Sequence, residues 1–235
     1  QRKGIIEPAR TDGLFERGSF SFKEEVSKEM FSDIKLYSSN VRTVDLNDLK
    51  GKPEKQLFYN KEEEGQIERL GSLLEEESLE KVFFSMKEKG LRTGMICLFY
   101  GDPGTGKTEL VQQLARETGR DIFIVDMAQI RDKFVGESEH NLARIFNTYR
   151  MYVARLRKTP ILFCNECDAI FGARLENTSG AVDKMENALQ NILLEQMEKL
   201  QGIMICTTNL TSTLDKAFER RFLLKLKLPK PGSEA

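Results

Sequence analysis

Tryptophan is absent from this sequence, and histidine occurs once, at His140. An excess of charge of one sign is also lacking, because 36 lysines and arginines face 37 aspartates and glutamates and leave a formal net charge of -1. Such a chain has no long-range field to attract nucleic acid or anionic lipid. We therefore do not expect nucleic acid as a dedicated partner. His140 lies at the start of a charged helical pattern and is expected to be a solvated residue.

Long apolar runs and paired cysteine motifs are missing as well. No run approaches the about 20 apolar residues that cross a bilayer, and no charged-then-apolar leader precedes a cleavage site, so we expect a cytoplasmic protein without a membrane span. Cys164 and Cys167 form one C-x-x-C pair, but no second pair follows at a zinc spacing, and zinc is not expected. All four cysteines fall within or beside short apolar runs, which fits reduced, buried thiols: Cys97, Cys164, Cys167 and Cys206.

The chain divides by its hydrophobic pattern. Residues 1–60 show no sustained periodicity and their role stays open, residues 61–228 alternate short apolar runs with amphipathic helices, and residues 229–235 read as a linker. Strands that are apolar on both faces and separated by helices predict an α/β fold with a parallel sheet between two helical layers. Ligands of such sheets bind at the carboxyl ends of the strands. The five predicted strands are 95–100, 121–126, 161–165, 202–207 and 222–228.

A glycine-rich segment follows the first of these strands and opens a helix. It matches G-x-x-x-x-G-K-[ST], in which glycines let backbone N–H groups surround phosphates and the helix N-terminus adds partial positive charge. Lys107 is predicted to reach the β- and γ-phosphates of ATP, and Thr108 to ligate Mg²⁺. The alternative is an ordinary glycine-rich turn, which the flanking strand and helix argue against. The predicted nucleotide-binding residues are Gly101, Asp102, Pro103, Gly104, Thr105, Gly106, Lys107, Thr108 and Glu109.

A second motif ends the third predicted strand. Its last residues place the carboxylate of Glu166 at the carboxyl edge of the sheet, beside the expected γ-phosphate. Hydrolysis needs a group that orients and deprotonates the attacking water, and Glu166 is the candidate general base. It could instead be a surface cap. Asn165, which precedes it, is the second candidate for the metal site.

Together these motifs resemble the Walker A and Walker B elements of the AAA+ ATPases, and the resemblance spans about residues 57–231. It implies a P-loop NTPase three-layer sandwich of AAA+ type with a parallel five-stranded sheet. The segment between the motifs resembles the substrate-gripping pore loop of the protein-remodelling AAA clade, although a lone aromatic such as Phe134 is also a common core anchor. The pore-loop residues implied by the resemblance are Lys133, Phe134, Val135 and Gly136.

Further elements of the resemblance lie downstream. Asn209 is similar to the sensor 1 asparagine, which helps to position the lytic water. Arg220 and Arg221 resemble the arginine-finger region, in which an arginine of one subunit reaches the nucleotide of the next, although both could simply pair with surface carboxylates. The resemblance implies a ring homo-oligomer, most often a hexamer, and a protein substrate. Residues 229–235 resemble the linker to the helical lid of the family, which lies beyond this sequence.

One position departs from the family pattern. Asn165 stands where the family has aspartate, so the side chain keeps its hydrogen-bonding capacity and loses its negative charge. Asp168 could compensate in part, or could bind nearby backbone. Residues 57–59 are the expected position of the adenine pocket. We expect a Mg²⁺-dependent ATPase that remodels or threads a protein; the alternatives are an ATP-binding switch with vestigial hydrolysis and a nucleic-acid loader of the wider AAA+ group.

Overall fold

The computed structural model describes residues 6–11, 14–22, 41–44, 46–51, 53, 55–131, 137–172, 181–210 and 214–230. The chain forms two compact units, residues 1–39 and residues 40–235. In the first unit, strands β1 (Ile6–Thr11) and β2 (Leu14–Phe22) pair antiparallel, with an irregularity in register between Pro8 and Arg10. Everything that follows concerns the second unit.

The second unit is built on a sheet with six strands among the described residues, in the order β3-β5-β6-β7-β4-β8. The strands β4 to β8 run parallel, as the hydrophobic pattern predicts, whereas β3 pairs antiparallel with β5. The α/β fold and its five parallel strands are therefore confirmed, and the five-stranded sheet is corrected to a mixed sheet of six by the antiparallel β3. The bounds are β3 Val41–Val44, β4 Gly94–Tyr100, β5 Ile122–Asp126, β6 Ile161–Asn165, β7 Gly202–Thr208 and β8 Leu224–Lys227.

The extra strand comes from the segment in which the sequence shows no periodicity. β3 has 4 residues, too few for an alternation to be visible, and the short helix that follows it buries Leu49 in the core. The larger unit consequently begins at Asn40, whereas the sequence pattern places the start of the nucleotide-binding region at residue 61.

Nine helices are described, and they lie on both faces of the sheet. Helices α1 to α4 bury their apolar residues in one cluster with alternate residues of the strands, including Met95, Cys97 and Phe99 of β4. On the opposite face α6 packs against α8, and its Tyr149 contacts the ring of Phe123 in β5. The bounds are α1 Leu46–Lys50, α2 Lys61–Leu74, α3 Glu76–Glu88, α4 Lys107–Thr118, α5 Met127–Arg131, α6 Glu137–Val153, α7 Asp168–Phe171, α8 Ala181–Glu198 and α9 Lys216–Glu219.

Two polar side chains fix these layers to the sheet. Tyr149 is fully buried, and its hydroxyl lies 2.8 Å from the carbonyl oxygen of Pro160 and accepts the N–H of Ile203 at 2.9 Å. Arg120 follows α4, is 1% exposed, and donates to the carbonyl oxygens of Leu74 and Thr159 at 2.8 and 2.7 Å. Because both groups satisfy buried backbone atoms, they tie separate elements together without leaving unpaired polar groups.

Candidate functional site

A cleft of about 500 Å³ opens at the carboxyl edge of the sheet. The register places Tyr100 opposite Thr208 and Asp126 opposite Asn165, so the ends of β4, β5, β6 and β7 all reach this edge. Of the predicted site residues that the structure describes, most line this one cleft. The cleft is lined by Lys55, Leu57, Pro103, Gly104, Gly106, Lys107, Thr108, Glu109, Gln112, Asn165, Glu166, Thr207, Thr208 and Asn209.

The glycine-rich loop forms one wall of the cleft, and its glycines adopt the left-handed backbone that favours this residue. Gly104 has φ 81° and Gly106 has φ 86°. Gly106 caps α4 without any side-chain hydrogen bond to the helix, which leaves the first N–H groups of a 12-residue helix for an acceptor in the cleft. A methyl group added at Gly104 would meet nothing within 4 Å, so open space adjoins the loop. This arrangement fits a phosphate group.

Lys107 lies at the base of this loop and is 9% exposed. Its ammonium group donates to the carbonyl oxygens of Gly101 and Asp102, both at 2.8 Å, and to Oδ1 of Asn209 at 2.9 Å. Burial lowers the pKa of this ammonium group, while the carboxylates of Asp168 and Asp102 act in the opposite direction. The three donors of Lys107 are therefore occupied by protein oxygen atoms at the edge of the cleft, and a phosphate bound by this ammonium group would replace one or more of them.

The side chains of Asn165 and Thr108 are in hydrogen-bonding contact in the cleft. Oδ1 of Asn165 accepts the hydroxyl of Thr207 at 2.8 Å and that of Thr108 at 3.3 Å. Both predicted metal-site residues thus offer neutral oxygen atoms at one point, which is the donor chemistry that Mg²⁺ accepts. The residues fit the ion, although the pair carries no negative charge.

Glu166 occupies an unusual backbone conformation at the end of β6. Its φ is 56°, the one positive value for a non-glycine residue among those described, and such a conformation costs on the order of 1 kcal/mol. Its N–H donates to the hydroxyl of Thr207 at 3.2 Å, and its exposed side chain lines the cleft. Backbone strain of this kind clusters at functional sites, so the geometry favours the catalytic role over the surface cap.

The Asp168 carboxylate binds residues at the end of β7. Its carboxylate accepts the hydroxyl of Thr208 at 2.5 Å and both the backbone N–H and the side-chain amide of Asn209 at 2.7 and 2.8 Å. Of the two roles left open by the sequence, these contacts favour the one that binds nearby backbone. The carboxylate fixes the Asn209 amide with Nδ2 toward Asp168 and Oδ1 toward Lys107.

The two threonines of β7 were not assigned a role from the sequence. Thr207 joins Asn165 to the backbone of Glu166, and Thr208 joins Asp168 to the backbone of Leu210 at 3.1 Å. Two adjacent hydroxyl residues at the end of an otherwise apolar strand are the signal in the sequence that points to them. Polar side chains at this edge of a parallel sheet face the ligand site.

The two arginines of the predicted finger have different environments. Arg221 is 12% exposed at its side chain, donates to the carbonyl oxygen of Ala217 at 2.5 Å and pairs with Glu198. Arg220 is exposed, and among the described residues neither arginine lines the cleft. Arg221 is therefore held by contacts within its own chain, while the side chain of Arg220 is exposed.

The structure describes the predicted adenine segment, residues 57–59, and the predicted nucleotide-binding residue Glu109. Leu57 lines the cleft and packs against the loop at Gly106, Phe58 is 55% exposed, and Tyr59 packs against the core. Burial, followed by the nearby Glu109 carboxylate, raises the pKa of the Tyr59 hydroxyl. Glu109 itself pairs with Arg116 at 2.8 Å.

Three predictions concern features away from the cleft. The pore-loop residues Lys133, Phe134, Val135 and Gly136 lie outside the described residues. The four cysteines are free and buried, and within the described ranges no cluster of His, Cys, Asp or Glu has the makings of a metal centre. The same part of the chain contains no helix that is both long enough and apolar enough to span a bilayer.

The fold and the cleft define a P-loop nucleotide-binding protein of the α/β class. Residues 97–230 match the model of the ATPase family associated with various cellular activities (AAA). The chain belongs to this family, and the resemblance seen in its motifs is confirmed.

Its relatives include three curated proteins. The chain is 33% identical over 139 residues to cell division protein C of Sulfolobus acidocaldarius, covering 58% of this chain and 37% of that protein. It is 28% identical over 164 residues to fidgetin-like protein 1 of Drosophila melanogaster (67% and 30%) and 32% identical over 191 residues to the proteasome-associated ATPase of Thermobifida fusca (73% and 32%). The matched regions thus span about a third of the relatives' lengths.

A solved structure shares the fold. A chain of the E. coli MS115-1 HORMA:CdnC:Trip13 complex superposes with a TM-score of 0.59 at 20% identity, covering 83% of this chain and 71% of that one. At this identity the likeness concerns the fold alone.

Proposed function

We propose that this protein binds ATP with Mg²⁺, hydrolyses it, and uses the energy to remodel or thread a protein substrate as a ring of identical subunits, most simply a hexamer. The observation that carries the proposal is the cleft in which the buried Lys107 and the strained Glu166 face the same space. Within it, the loop from Gly101 to Thr108 and the N-terminus of α4 bind the phosphates, and Leu57 covers the adenine side.

Hydrolysis proceeds by attack of water on the γ-phosphorus and departure of ADP. The Glu166 carboxylate accepts a proton from the water as the new O–P bond forms and the bond to the bridging oxygen breaks. Asn209, held by Asp168, orients the water, and Lys107 stabilises the charge that develops on the phosphate oxygens. Thr108 and Asn165 would hold Mg²⁺, which supplies further positive charge there when bound.

The ring part of the proposal rests on Arg220. Arg220 is exposed and does not line the cleft of its own chain, which leaves it available to the nucleotide of another copy. We assign the finger to Arg220, whereas Arg221 fixes α9 to α8 through Glu198. Activity per subunit then depends on protein concentration.

The substrate part rests on the pore-loop motif and on relatives. Lys133, Phe134, Val135 and Gly136 resemble a loop that grips an extended polypeptide by apolar contact, and the name of one relative associates it with the proteasome. The balanced charge of the chain argues against the nucleic-acid loader. Four free, buried thiols support a reducing, cytoplasmic location.

The test is ATP turnover as a function of protein concentration, with matched controls. Lys107→Ala, Glu166→Gln and Arg220→Ala are expected to lose turnover by about 100-fold or more, while the exposed controls Lys81→Ala, Glu80→Gln and Arg157→Ala retain it. Wild-type activity per subunit should rise cooperatively with concentration. Mixing Glu166→Gln with Arg220→Ala subunits should restore part of the activity, because each supplies what the other lacks.

The second candidate is an ATP-binding switch, and the neutral Asn165 is the observation that favours it. Under this alternative the wild-type protein binds ATP but shows no turnover at any concentration, and Glu166→Gln changes nothing. Turnover that Glu166→Gln abolishes excludes it.

A further inference from the structure

The metal side of the cleft contains unusually little available negative charge. Asn165 is neutral, and its Oδ1 lies 3.3 Å from the Thr108 hydroxyl. A Mg²⁺ ion held at Thr108 is attracted by the phosphates of the nucleotide and by carboxylates close to that hydroxyl, so the carboxylates around this point decide how strongly the protein itself binds the ion.

Two of the neighbouring carboxylates accept hydrogen bonds from other residues. Asp168 accepts three hydrogen bonds from Thr208 and Asn209. Asp126, which is in register with Asn165 on the adjacent strand, caps α5 by accepting the N–H groups of Ala128 and Gln129 at 3.1 and 3.2 Å. Both are therefore compensated by protein donors.

Glu109 and Glu166 are the carboxylate residues among those described that line the cleft itself. Glu109 follows Thr108 directly and pairs with Arg116 at 2.8 Å, with both side chains largely buried. Glu166 is exposed, lines the cleft and is the proposed general base. Among the described residues that line the cleft, Glu166 is thus the carboxylate left for a cation.

The phosphate side of the cleft, by comparison, has two groups that attract an anion. Lys107 brings a buried ammonium group, and the uncapped N-terminus of α4 brings oriented N–H groups. Neither needs a metal ion in order to attract an anion. The amide of Asn165 also carries an NH₂ donor, which attracts phosphate oxygens where the carboxylate of an aspartate would repel them.

We propose that Asn165 sets the metal dependence of this site, so that the protein holds nucleotide through Lys107 and the N-terminus of α4 with only weak dependence on Mg²⁺. This inference rests on the proposed nucleotide site and deepens it. An aspartate at the same position acts in two ways: it repels metal-free phosphates and attracts the metal complex. Both effects increase the difference between the affinity for nucleotide with Mg²⁺ and the affinity for nucleotide without it.

The experiment measures the dissociation constant of a fluorescent ATP analogue in excess Mg²⁺ and in excess EDTA, so the readout is binding. For the wild-type protein we expect the two constants to differ by less than about 3-fold, and for Asn165→Asp by about 10-fold or more. Asn165→Ala stays neutral and should keep the small ratio. Asn47→Asp adds the same charge at an exposed site on α1 and should also match the wild type.

Every outcome decides the question. A wild-type constant that rises by about 3-fold or more in EDTA, or a ratio for Asn165→Asp no larger than that of the wild type, overturns the inference and leaves the proposed ATP site intact. Absence of binding in both buffers overturns the inference and the proposed function together. Because a large wild-type ratio overturns the inference by itself, the test stays falsifiable even if Asn165→Asp fails to fold; circular dichroism of each variant identifies that case.

Discussion

The ammonium group of Lys107 donates to Oδ1 of Asn209 at 2.9 Å, which joins the phosphate loop to the end of β7. Asn209 is held from the other side by Asp168, so the amide has one defined orientation. A side chain fixed in this way needs no reorganisation when charge develops on a phosphate, and such preorganised dipoles contribute strongly to catalysis.

Replacing Asn209 should therefore reduce the chemical step more than binding. For Asn209→Ala we expect kcat to fall by about 100-fold while KM for ATP changes only a few-fold, since Lys107 and the loop remain. Steady-state kinetics with a separate measurement of nucleotide affinity checks this. Equal losses in kcat and in affinity would show that Asn209 contributes to ground-state binding instead.

Asp168 is a positioning residue, and its replacement should act through Asn209. In Asp168→Asn an NH₂ group, which donates, replaces one accepting oxygen, so the side chain cannot accept all three hydrogen bonds from Thr208 and Asn209. We expect kcat to fall by about 10-fold or more and stability by about 1–3 kcal/mol. Glu80→Gln, at an exposed position of α3, is the control. In the background of Asn209→Ala, Asp168→Asn should lower kcat little further; independent effects would contradict the link.

The sequence predicts most of this site because its parts follow strands. Lys107, Thr108, Asn165 and Glu166 lie directly after or beside buried apolar runs, and parallel strands bring their carboxyl ends to one edge. The α/β class follows from the same alternation. These features depend on local pattern, which a single sequence contains.

Features that depend on tertiary pairing were not predictable in the same way. The strand β3 is too short to show alternation and pairs only because β5 offers a free edge. The distinction between Arg220 and Arg221 depends on Glu198 of α8, which is far away in the sequence. Likewise, only the fold brings Thr207 beside Asn165, because their separation along the chain carries no periodic signal.

Gly202 is a position where any side chain should destabilise the fold. Its φ is 125°, and an added methyl carbon would lie 2.5 Å from the hydroxyl oxygen of Tyr149, which is fixed by Pro160 and Ile203. We expect Gly202→Ala to lower the free energy of unfolding by about 2–4 kcal/mol. Gly65→Ala, in a helix with nothing within 4 Å of the added carbon, should raise it by about 0.5–1 kcal/mol. Urea denaturation measures both, and equal stability of the two variants would contradict the geometry.

Arg120 should stabilise the fold by joining the end of α4 to the start of α3 through buried contacts. Besides the carbonyl oxygens of Leu74 and Thr159, it binds the carboxylate of Glu76 at 3.0 Å. Arg120→Gln leaves these acceptors without their charged donor, and we expect a loss of about 2–4 kcal/mol. Arg157→Gln, at an exposed site, should change stability by less than about 0.5 kcal/mol. Thermal denaturation compares the pair, and similar melting temperatures would show that Arg120 is dispensable.

Stability should fall at alkaline pH, in part through Cys97. Burial raises the pKa of its thiol from 9.0 to about 12, so the folded protein binds this proton more tightly than the unfolded chain does. The stabilisation is complete below the unfolded pKa near 9 and is lost as the pH rises toward 12, by up to about 1.4 kcal/mol per pH unit. Urea denaturation at pH 7.5 and pH 10.5 should show a smaller drop for Cys97→Ala than for the wild type, although the variant is less stable at both values because it leaves a cavity. An identical drop in the two proteins would mean that the Cys97 thiol titrates alike in the folded and unfolded states.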